Sequence, residues 1–450
     1  MGWRKWAISG LLKASGSGVP ASLAYIKESE FASGDHIRIQ QEEKLTKLIT
    51  FCYENVPYYK TVLEHSGVVS GGLVKLERYN NIPPLTKKVI RENYSSLLPG
   101  KYSGTGRYEN TSGGSTGEVA SFYQDKRYDC WNIANKIYFN RVLGKNPGDK
   151  EIKLWGSDRD IIAGSLTLKD KIINFLYNRL FFNCYHLDQE RLEKLRLLNN
   201  SFKPCGYWSY MEAAAELAEY IEKSGRKFYS PKMIISTIGP LNEQLRNKIE
   251  KALGCNVYNQ YGSREVGAIA CECKEKNGLH TFPWSHFVEV VGDDYKSVAE
   301  NQEGQILVTP LENYAMPLLR YSIGDVGVNG GSKCQCGRNT FKLGAVKGRT
   351  LGYFIKPDGS KVHSHFIVQG LFFRDWIERF QIVQEKLDYV VIYIKKRGGV
   401  EFDQGDIEEI KTQSRLLLGQ QCRIDIDFVS DISRSESGKF LYTICKVNCE

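Results

Sequence analysis

A segment rich in glycine and hydroxyl side chains is the first candidate for chemistry in this sequence. Residues 111–118 read TSGGSTGE, with three glycines and four hydroxyls in eight positions. Glycine lets backbone N–H groups approach phosphate oxygens closely, and the hydroxyls add further contacts. The spacing is not that of a Walker A loop, which needs G-x-x-x-x-G-K-[ST]. The segment predicts either a phosphate-binding loop or an ordinary Ser/Gly surface loop.

A second candidate segment reads NQYGSRE at residues 259–265 and follows a strand-like run. The ring of Tyr261 offers a flat face for stacking on a purine, and Gly262 allows a tight turn. The carboxylate of Glu265 is a ligand that Mg²⁺ prefers together with phosphate oxygens. Alone, this pattern is more typical of a turn with a solvated charge.

Three more segments carry charged side chains that suit a bound nucleotide. RYSIGD ends in Asp325, whose carboxylate can accept two hydrogen bonds from ribose hydroxyls. A Lys-Gly-Arg segment ends in Arg349, and SESGKF near the end of the chain contains Lys439. A lysine after a Ser-Gly pair can supply a mobile point charge to a phosphate. Each segment is a weak signal by itself, so their order along the chain carries the information.

Cysteine and histidine are grouped in two places, about 54 residues apart. CECKEKNGLH carries Cys271, Cys273 and His280, and KCQCGR carries Cys334 and Cys336. Thiolates and imidazole are the usual ligands of zinc, and four of them complete a tetrahedron. The spacing is not the commonest one for a zinc finger, so a group of reduced, unpaired thiols is the alternative.

The composition bounds the kind of protein that positions these residues. The chain has 450 residues, of which 42% are hydrophobic and 25% charged, and this excludes a mainly disordered chain, a collagen or a coiled coil. The net charge of +9 is mild for this length. It suits anionic small-molecule ligands and does not argue for nucleic acid. Twelve cysteines without a secretion signal predict a reducing, cytoplasmic location.

The sequence predicts no transmembrane segment, because no stretch approaches roughly 18 uncharged apolar residues. Peripheral membrane contact is left open by the first residues. Trp3, Trp6, Leu11 and Leu12 suit a short interfacial helix, although a helix packed on its own domain is the favoured interpretation.

Hydrophobic periodicity predicts the elements around the candidate residues. We expect a helix over 40–66 that breaks near Pro57, and two helices over 187–224, the second being SYMEAAAELAEYIEKSG with Gly225 as its stop. KMIIST, PLNEQLRNKIEKALG and CNVYNQYG predict strand, helix and strand, which is typical of a parallel α/β layer. The last hundred residues, with the strand LDYVVIYIKK and the helix DIEEIKTQSRLLLG, predict a small α+β unit beginning near 347–351.

Taken in order, these segments resemble the adenylate-forming ligase superfamily, which includes acyl- and aryl-CoA ligases, luciferases and peptide-synthetase adenylation domains. The chain resembles most closely the phenylacetate–CoA ligase-like branch, especially its CapK-type members of capsular polysaccharide biosynthesis. VPYYK at 56–60, IPPLTKKVIREN at 82–93 and the run YNQYGSREVGAIACEC add to the resemblance, which covers about residues 40 to 446. It implies a large α/β domain with parallel-sheet layers over 1–347 and a small, mobile α+β lid domain over 348–450.

The resemblance also implies roles for the phosphate loop and the adenine site. The residues that would hold the β- and γ-phosphates of ATP are Thr111, Ser112, Gly113, Gly114, Ser115, Thr116 and Gly117. Tyr261 would stack on adenine, with Gly262 and Ser263 beside it in the cofactor site. Gly239 belongs to a turn that lines the acyl and adenine sites in relatives.

The remaining roles concern metal, ribose and catalysis. The resemblance implies that Glu265 binds Mg²⁺, that Asp325 binds the ribose, and that Arg349 follows the glycine of the interdomain hinge. Lys439 would swing into the site for adenylation. In some enzymes of this branch a structural zinc is held by ligands that match Cys273, His280, Cys334 and Cys336, which leaves Cys271 as a spare.

The sequence departs from the pattern at several positions. Glu118 stands where many members carry lysine, and Ser322 where many carry arginine. Arg264 replaces a small hydroxyl residue, and it can reach the α-phosphate with two N–H groups or pair with an anionic substrate. Residues 350–352 replace the usual acidic hinge residues. The altered hinge and Arg264 favour an amine or hydroxyl acceptor over CoA.

The resemblance therefore implies an enzyme that uses ATP and Mg²⁺ to convert a carboxylate into an acyl-AMP, with release of pyrophosphate. The acyl group would pass to an amine or hydroxyl acceptor in surface polysaccharide biosynthesis, or alternatively to CoA. Two other hypotheses are a non-catalytic binding module with the same fold and a surface-sugar or lipid-handling protein recruited to the membrane by the first residues. The sequence identifies neither the carboxylate nor the oligomeric state.

Overall fold

The computed structural model describes residues 3–102, 104, 106–112, 120–155, 168–184, 187–238, 241–349, 353–358, 361–363, 367–368, 371, 374–401, 404–432 and 442–447. The chain divides into two compact units, Met1–Val346 and Lys347–Glu450. Among the described helices, none is long and apolar enough to cross a membrane.

Most of the described helices belong to the first unit. In chain order the described α-helices are α1 Trp3–Ala14, α2 Val19–Ser29, α3 Gly34–Asn55, α4 Pro57–His65, α5 Lys87–Glu92, α6 Lys126–Val142, α7 Leu168–Leu176, α8 Gln189–Phe202, α9 Met211–Ser224, α10 Glu243–Leu253 and α11 Gln404–Leu418. Short 3₁₀ turns lie at Leu76–Asn81 and Ser95–Leu97.

The strands fall into one large sheet and several small ones. They are β1 Val69–Ser70, β2 Leu73–Val74, β3 Tyr108–Thr111, β4 Ser121–Gln124, β5 Glu151–Trp155, β6 Arg179–Asn183, β7 Gly206–Tyr210, β8 Met233–Ile238, β9 Asn256–Ser263, β10 Gly267–Glu272, β11 Leu279–Thr281, β12 His286–Val291, β13 Glu303–Pro310, β14 Tyr321–Asn329, β15 Lys342–Arg349, β16 Tyr353–Ile355, β17 Lys361–His363, β18 Ile377–Lys386, β19 Tyr389–Lys396, β20 Arg423–Phe428 and β21 Thr443–Cys445.

The large sheet has 11 strands in the order β12-β13-β14-β15-β11-β10-β9-β8-β7-β5-β6. From β6 to β9 each pair of neighbours is parallel. Helices α8, α9 and α10 lie between consecutive parallel strands along the chain, as a parallel connection requires. The parallel α/β layer predicted from KMIIST to CNVYNQYG is confirmed. Beyond β9 the pairs β9–β10, β10–β11 and β11–β15 are antiparallel.

Local sequence signals set the helix ends. Pro57 begins α4 directly after α3 ends, because proline fits the first turn but cannot continue a preceding helix. Gly225 caps α9 in the left-handed conformation, with φ of 60°. Both boundaries agree with the sequence-based expectation. Apolar side chains of α8, α9 and α10 share one core with the parallel strands, and Leu195, Leu217 and Ile249 are almost completely buried in it.

One prediction in this region was wrong. The second helix was expected to begin at Ser209, but Gly206–Tyr210 forms strand β7, and the helix begins at Met211. Strand β7 is central in the parallel layer and buried along its whole length, so its residues show no alternation of polar and apolar side chains. Such a strand cannot be told from a buried helix turn by periodicity alone.

The second unit contains a four-stranded sheet in the order β20-β19-β18-β21. Strands β18 and β19 are antiparallel, whereas β20 and β21 pair in parallel with their neighbours. Helix α11 buries Ile410 and Leu418 in the same apolar core as β19. The small α+β unit that the sequence predicts is confirmed.

Candidate active site and metal centre

The turn between β9 and β10 carries the first group of predicted site residues. Tyr261, Gly262 and Ser263 end β9, and Arg264 and Glu265 follow before β10 begins. A side chain at Gly262 would place its Cβ 2.4 Å from the carbonyl oxygen of Gly267, so only glycine fits where the two strands approach. The tight turn was expected at Gly262 but lies at residues 264–266, and glycine is needed at position 262 because the neighbouring strand approaches closely there.

Two hydrogen bonds join this turn to β14. The hydroxyl of Tyr261 donates to Asp325 Oδ2 at 2.6 Å, and the hydroxyl of Tyr321 donates to Glu265 Oε1 at 3.3 Å. The side chains of Glu265 and Asp325 are both buried, with 3% and 8% of their surfaces exposed. The structure therefore brings the predicted Mg²⁺ carboxylate and the predicted ribose carboxylate to the same place, 60 residues apart in sequence.

The base of the predicted phosphate loop lies beside the same turn. Strands β3 and β4 pair antiparallel, with Thr111 opposite Ser121. The hydroxyl of Ser112 accepts a hydrogen bond from the N–H of Ala120, and the N–H of Ser112 donates to the Ala120 carbonyl, both at 2.9 Å. Residues 113–119 lie outside the described residues, and with them Gly113, Gly114, Ser115, Thr116 and Gly117. The residues on either side of this segment are therefore paired, Ser112 with Ala120 and Thr111 with Ser121.

Arg264 links these two segments. Its guanidinium is exposed and donates from Nη1 to the carbonyl oxygen of Thr111 at 3.4 Å. Arg264 thus contacts the end of β3, just before the 113–119 segment. An arginine offers five donors in a planar fork, which suits phosphate or carboxylate oxygens.

Three predicted residues cannot be related to this arrangement by their side chains. Gly239 and Lys439 lie outside the described residues. Arg349 is the last residue of β15, and the structure describes its backbone.

Polar residues that the sequence interpretation missed hold the backbone of the turn. Gln124 Nε2, buried at the end of β4, donates to the carbonyl oxygens of Arg264 and Glu265 at 2.9 and 3.2 Å. Asn132 Oδ1 accepts a hydrogen bond from the N–H of Ala268 at 3.1 Å. These partners come from 140 residues earlier in the chain, so no local pattern indicates them.

His286 supports the same turn from the other side. Its Nε2 lies 2.6 Å from the carbonyl oxygen of Val266, which can only accept, so Nε2 carries the proton. Its Nδ1 then accepts from the hydroxyl of Ser285 at 2.9 Å, and Ser285 in turn accepts from Asn135 Nδ2 at 2.9 Å. Burial lowers the pKa of His286 to about 4, and the neutral ring matches this hydrogen-bond pattern.

A buried arginine fixes the start of β14. The side chain of Arg320 is completely buried, and its backbone has the left-handed conformation, with φ of 50°. Its guanidinium donates to Glu289 at 3.2 Å and to the carbonyl oxygens of Asn80, Ile82 and Tyr295 at 2.6 to 2.7 Å. It is adjacent to Tyr321, whose hydroxyl contacts Glu265, so this network holds the β14 side of the site. Arg320 is the first residue of the RYSIGD segment, and the sequence alone indicates no role for it.

The predicted metal ligands form a second centre in the first unit. The ligand atoms of Cys273, His280, Cys334 and Cys336 lie within 4.8 Å of one another. Cys273 Sγ is 3.7 Å from Cys334 Sγ, and Cys336 Sγ is 3.4 Å from His280 Nε2. A tetrahedral zinc with Zn–S bonds of about 2.3 Å separates two sulfur ligands by roughly 3.8 Å, so the donor atoms fit this ion.

The surroundings of the group suit a closed metal site. His280 Nδ1 contacts Thr340 Oγ1 at 2.9 Å, which leaves Nε2 facing the sulfur atoms. Burial lowers the pKa of His280 to about 4, so the imidazole is neutral and keeps a lone pair for a ligand bond. Four protein ligands leave no open position, which is typical of structural rather than catalytic zinc. Cys271 points into an apolar core with Phe282 and Trp284, as expected for the spare cysteine.

Several known proteins are similar to the chain in sequence. A family model described as the CapK C-terminal domain matches residues 354–446. Protein CapK of Staphylococcus aureus is 24% identical over 413 residues, which are 90% of this chain and 88% of that protein. The phenylacetate-coenzyme A ligase of Thermus thermophilus is 27% identical over 337 residues, 73% of this chain and 74% of that protein.

Solved structures share the whole fold. A 2-hydroxyisobutyryl-CoA ligase in the postadenylation state, in complex with R3-HIB-AMP, superposes with a TM-score of 0.70 at 18% identity, covering 93% of this chain and 92% of that one. The chain is thus similar to CapK and to the phenylacetate-coenzyme A ligases in sequence, and to this CoA ligase in fold. The similarity confirms the resemblance and the fold class predicted from the sequence.

Proposed function

We propose that the chain activates a carboxylate with ATP, forming an acyl-AMP and releasing pyrophosphate. The observation that carries the proposal is the contact of Arg264 with Thr111, because it joins the turn bearing Glu265 to the base of the 111–117 loop. The hydrogen bond from Tyr261 to Asp325 adds the adenine and ribose positions at the other end of the same turn. Hydrogen bonds thus link three motifs spread over more than 200 residues, which supports a common nucleotide site.

The proposed reaction depends on positioning and on charge. A carboxylate oxygen of the substrate attacks the α-phosphorus of ATP, the bond from that phosphorus to the bridging oxygen breaks, and pyrophosphate leaves. Such a step is accelerated by alignment of the reactants and by positive groups beside the phosphates. Arg264 can bind the α-phosphate through two N–H groups. Lys439 is proposed to bring a second positive charge from the smaller, C-terminal domain, residues 348–450.

The remaining residues bind the nucleotide. Glu265 would hold Mg²⁺, which neutralises phosphate charge when it is bound. Asp325 would accept hydrogen bonds from the ribose hydroxyls, and the 111–117 loop would hold the β- and γ-phosphates. We also propose that the larger domain, residues 1–347, binds ATP and the carboxylate while the smaller one acts as the lid, with Arg349 at the hinge and Gly239 in the turn that lines the acyl site.

The cysteine–histidine group is proposed to hold a structural zinc. Three thiolates and one imidazole within 4.8 Å match its preferred donors. The group joins the end of β10 and the start of β11 to the 334–336 segment, so the ion would fix these parts to one another. It would stabilise the fold and take no part in the reaction.

For the second step we propose an amine or hydroxyl acceptor in surface polysaccharide biosynthesis. The similarity to CapK over 90% of this chain supports it, as do the unusual residues 350–352. The alternative acceptor is CoA. It is favoured by the similarity to the phenylacetate-coenzyme A ligases, since their names state ligation to coenzyme A.

Exchange of labelled pyrophosphate into ATP tests the first step. A panel of aryl acids, amino acids and uronic acids would be tried with the wild type and with Lys439→Ala and Glu265→Gln. We expect exchange with one class of acid and a loss of roughly a hundredfold or more in each variant. Lys446→Ala is the matched control, because this exposed lysine pairs with Glu385 at 2.8 Å and has no proposed role in the reaction.

The same experiment separates the competing hypotheses. Absence of exchange with every acid, together with retained ATP binding, would support the non-catalytic binding module. Once an acid is found, the wild type is incubated with ATP, that acid and either CoA or an amine, and the products are identified by mass spectrometry. A thioester that accumulates with CoA alone would overturn the proposed amine or hydroxyl acceptor.

A further inference from the structure

An exposed apolar surface covers two helices that the proposed reaction does not use. Helices α1 and α7 carry six large apolar side chains that are more than a third exposed: Trp3, Trp6, Leu11, Ile172, Ile173 and Phe175. The most exposed are Trp6 at 72% and Phe175 at 61%. We refer to these six residues as the α1–α7 surface. Exposed tryptophans and phenylalanines in one patch are unusual for a protein surface that contacts only water.

Contacts between the two helices make this a continuous surface. Arg4 Nε donates to the carbonyl oxygen of Phe175 at 3.2 Å. The Arg4 guanidinium lies 4.9 Å from the centre of the Trp3 ring and 5.2 Å from that of Phe175. The rings of Trp3 and Phe175 are themselves 6.3 Å apart. Stacking on a shared arginine holds the two rings at a defined position.

Buried side chains on one face of α1 fix the orientation of this helix. Ile8 is buried with 4% of its surface exposed, and Leu12 packs against the apolar core beneath the helix. Trp3, Trp6 and Gly10 follow a spacing of three and four residues, so they share the opposite, outward face. One face of α1 therefore packs on its own domain, as the favoured interpretation of the sequence expects, and the opposite face is exposed.

The charge around the patch indicates the kind of partner. Residues 1–27 contain Arg4, Lys5, Lys13 and Lys27 and no acidic residue. Exposed Lys171 adds a positive charge on α7. Tryptophan with lysine and arginine beside it is the composition of elements that lie in the interface of an anionic bilayer. A second copy of the chain would bring like charges together across the same patch, which opposes self-association.

We propose that the α1–α7 surface docks the protein on anionic lipid headgroups, with Trp3, Trp6 and Phe175 entering the interface. The helices lie parallel to the bilayer surface, and Lys13 and Lys171 contact the headgroups. The inference does not rest on the proposed adenylation chemistry, because these residues take no part in it.

Co-sedimentation of the full chain with vesicles tests the proposal. We expect binding to vesicles of equal parts phosphatidylcholine and phosphatidylglycerol, weak binding to phosphatidylcholine alone, and release by added salt. The triple variant Trp3→Ala/Trp6→Ala/Phe175→Ala should lower the partition coefficient by roughly tenfold or more, because burial of these rings drives insertion. Lys13→Glu/Lys171→Glu should lower it for anionic vesicles without removing any ring.

The matched control removes exposed apolar side chains elsewhere. Leu387→Ala/Leu416→Ala alters residues that are 41% and 68% exposed in the second unit, and it should bind vesicles as the wild type does. Thermal unfolding midpoints near the wild-type value establish that each variant is folded. Binding that is equal in the wild type and the triple variant, or equal on neutral and anionic vesicles, would overturn the proposal. So would a dimer in light scattering that the triple variant abolishes while no vesicle binding is found.

Discussion

The hydroxyl of Tyr261 donates a hydrogen bond to Asp325 Oδ2 at 2.6 Å, although three strands separate β9 from β14 in the order of the large sheet. The sheet must curve for these side chains to meet. Because one residue is proposed to stack on adenine and the other to bind ribose, a single hydrogen bond sets the distance between the two subsites. In the proposed site, this bond would fix the two subsites relative to each other before ATP binds.

Replacement of Tyr261 by phenylalanine tests this coupling. The ring for stacking stays, but Asp325 loses the donor that orients its carboxylate. A hydrogen bond to a charged group contributes about 1.5–3 kcal/mol, so we expect the KM for ATP to rise by roughly tenfold or more while kcat changes less. Pyrophosphate exchange at varied ATP concentration measures both.

Tyr220→Phe is the matched control for this change. Tyr220 donates to Glu193 at 2.6 Å, so the same hydroxyl-to-carboxylate bond is lost in a different part of the first unit. Its KM for ATP should stay at the wild-type value. An unchanged KM in both variants would mean that the hydrogen bond does not orient Asp325 for ATP.

A pH-dependent contribution to stability is expected from His286. Its pKa in the folded protein is lowered to about 4, and in the unfolded chain it is about 6.5. Between these values the unfolded state binds more protons, so the contribution of His286 is complete above pH about 6.5 and is lost as the pH falls toward about 4. Lowering the pH from about 7.5 to about 5 should therefore reduce the free energy of unfolding of the wild type by roughly 2 kcal/mol through His286.

His286→Gln removes this titration, and its Nε2 can still donate toward the Val266 carbonyl. We expect the urea midpoint of the variant to be lower than that of the wild type at neutral pH and the difference to shrink at pH about 5. A difference that stays constant across this range would show that the pKa of the ring is the same in the folded and the unfolded state.

Zinc content should distinguish a proposed zinc ligand, Cys334, from the spare cysteine, Cys271. Wild-type protein purified without chelator should contain one zinc per chain by elemental analysis, and Cys334→Ser should contain little, because a tetrahedral site needs all four ligands. Cys271→Ala should retain the metal, because Cys271 lies in the apolar core with Phe282 and Trp284. A strong chelator should lower the unfolding temperature of the wild type much more than that of Cys334→Ser. Metal-free wild type with an unchanged unfolding temperature would support the unpaired thiols instead.

The sequence could predict the parts of this molecule whose signal is local. The strand–helix–strand pattern around KMIIST, the break at Pro57 and the stop at Gly225 each depend on a few adjacent residues, and all three agree with the structure. Strand β7 was missed because a strand buried on both faces has no alternation to detect.

The supports of the candidate site were missed for a different reason. Gln124, His286 and Arg320 act through backbone groups that are 20 to 240 residues away in sequence. One polar residue inside an apolar run gives no local indication of such a partner. The motif residues were found because they resemble a known family, and the residues that hold them could be found only from the fold.

Arg320 offers the strongest test of these supports. It is completely buried, pairs with Glu289, and donates to three backbone carbonyl oxygens. Arg320→Met leaves Glu289 buried without its counter-charge, and loss of one partner from a buried pair costs about 3–5 kcal/mol. Arg423→Met is the control, because the Arg423–Asp425 pair is at the surface and should contribute little.

The double variant Arg320→Met/Glu289→Leu removes both charges, so it should recover part of the loss in denaturant unfolding. It should not recover ATP binding, because Arg320 also holds the segment that begins β14 and carries Tyr321 and Asp325. If Arg320→Met were as stable as Arg423→Met, the buried network would not hold β14, and the alignment of Asp325 with Tyr261 would have to come from the sheet alone.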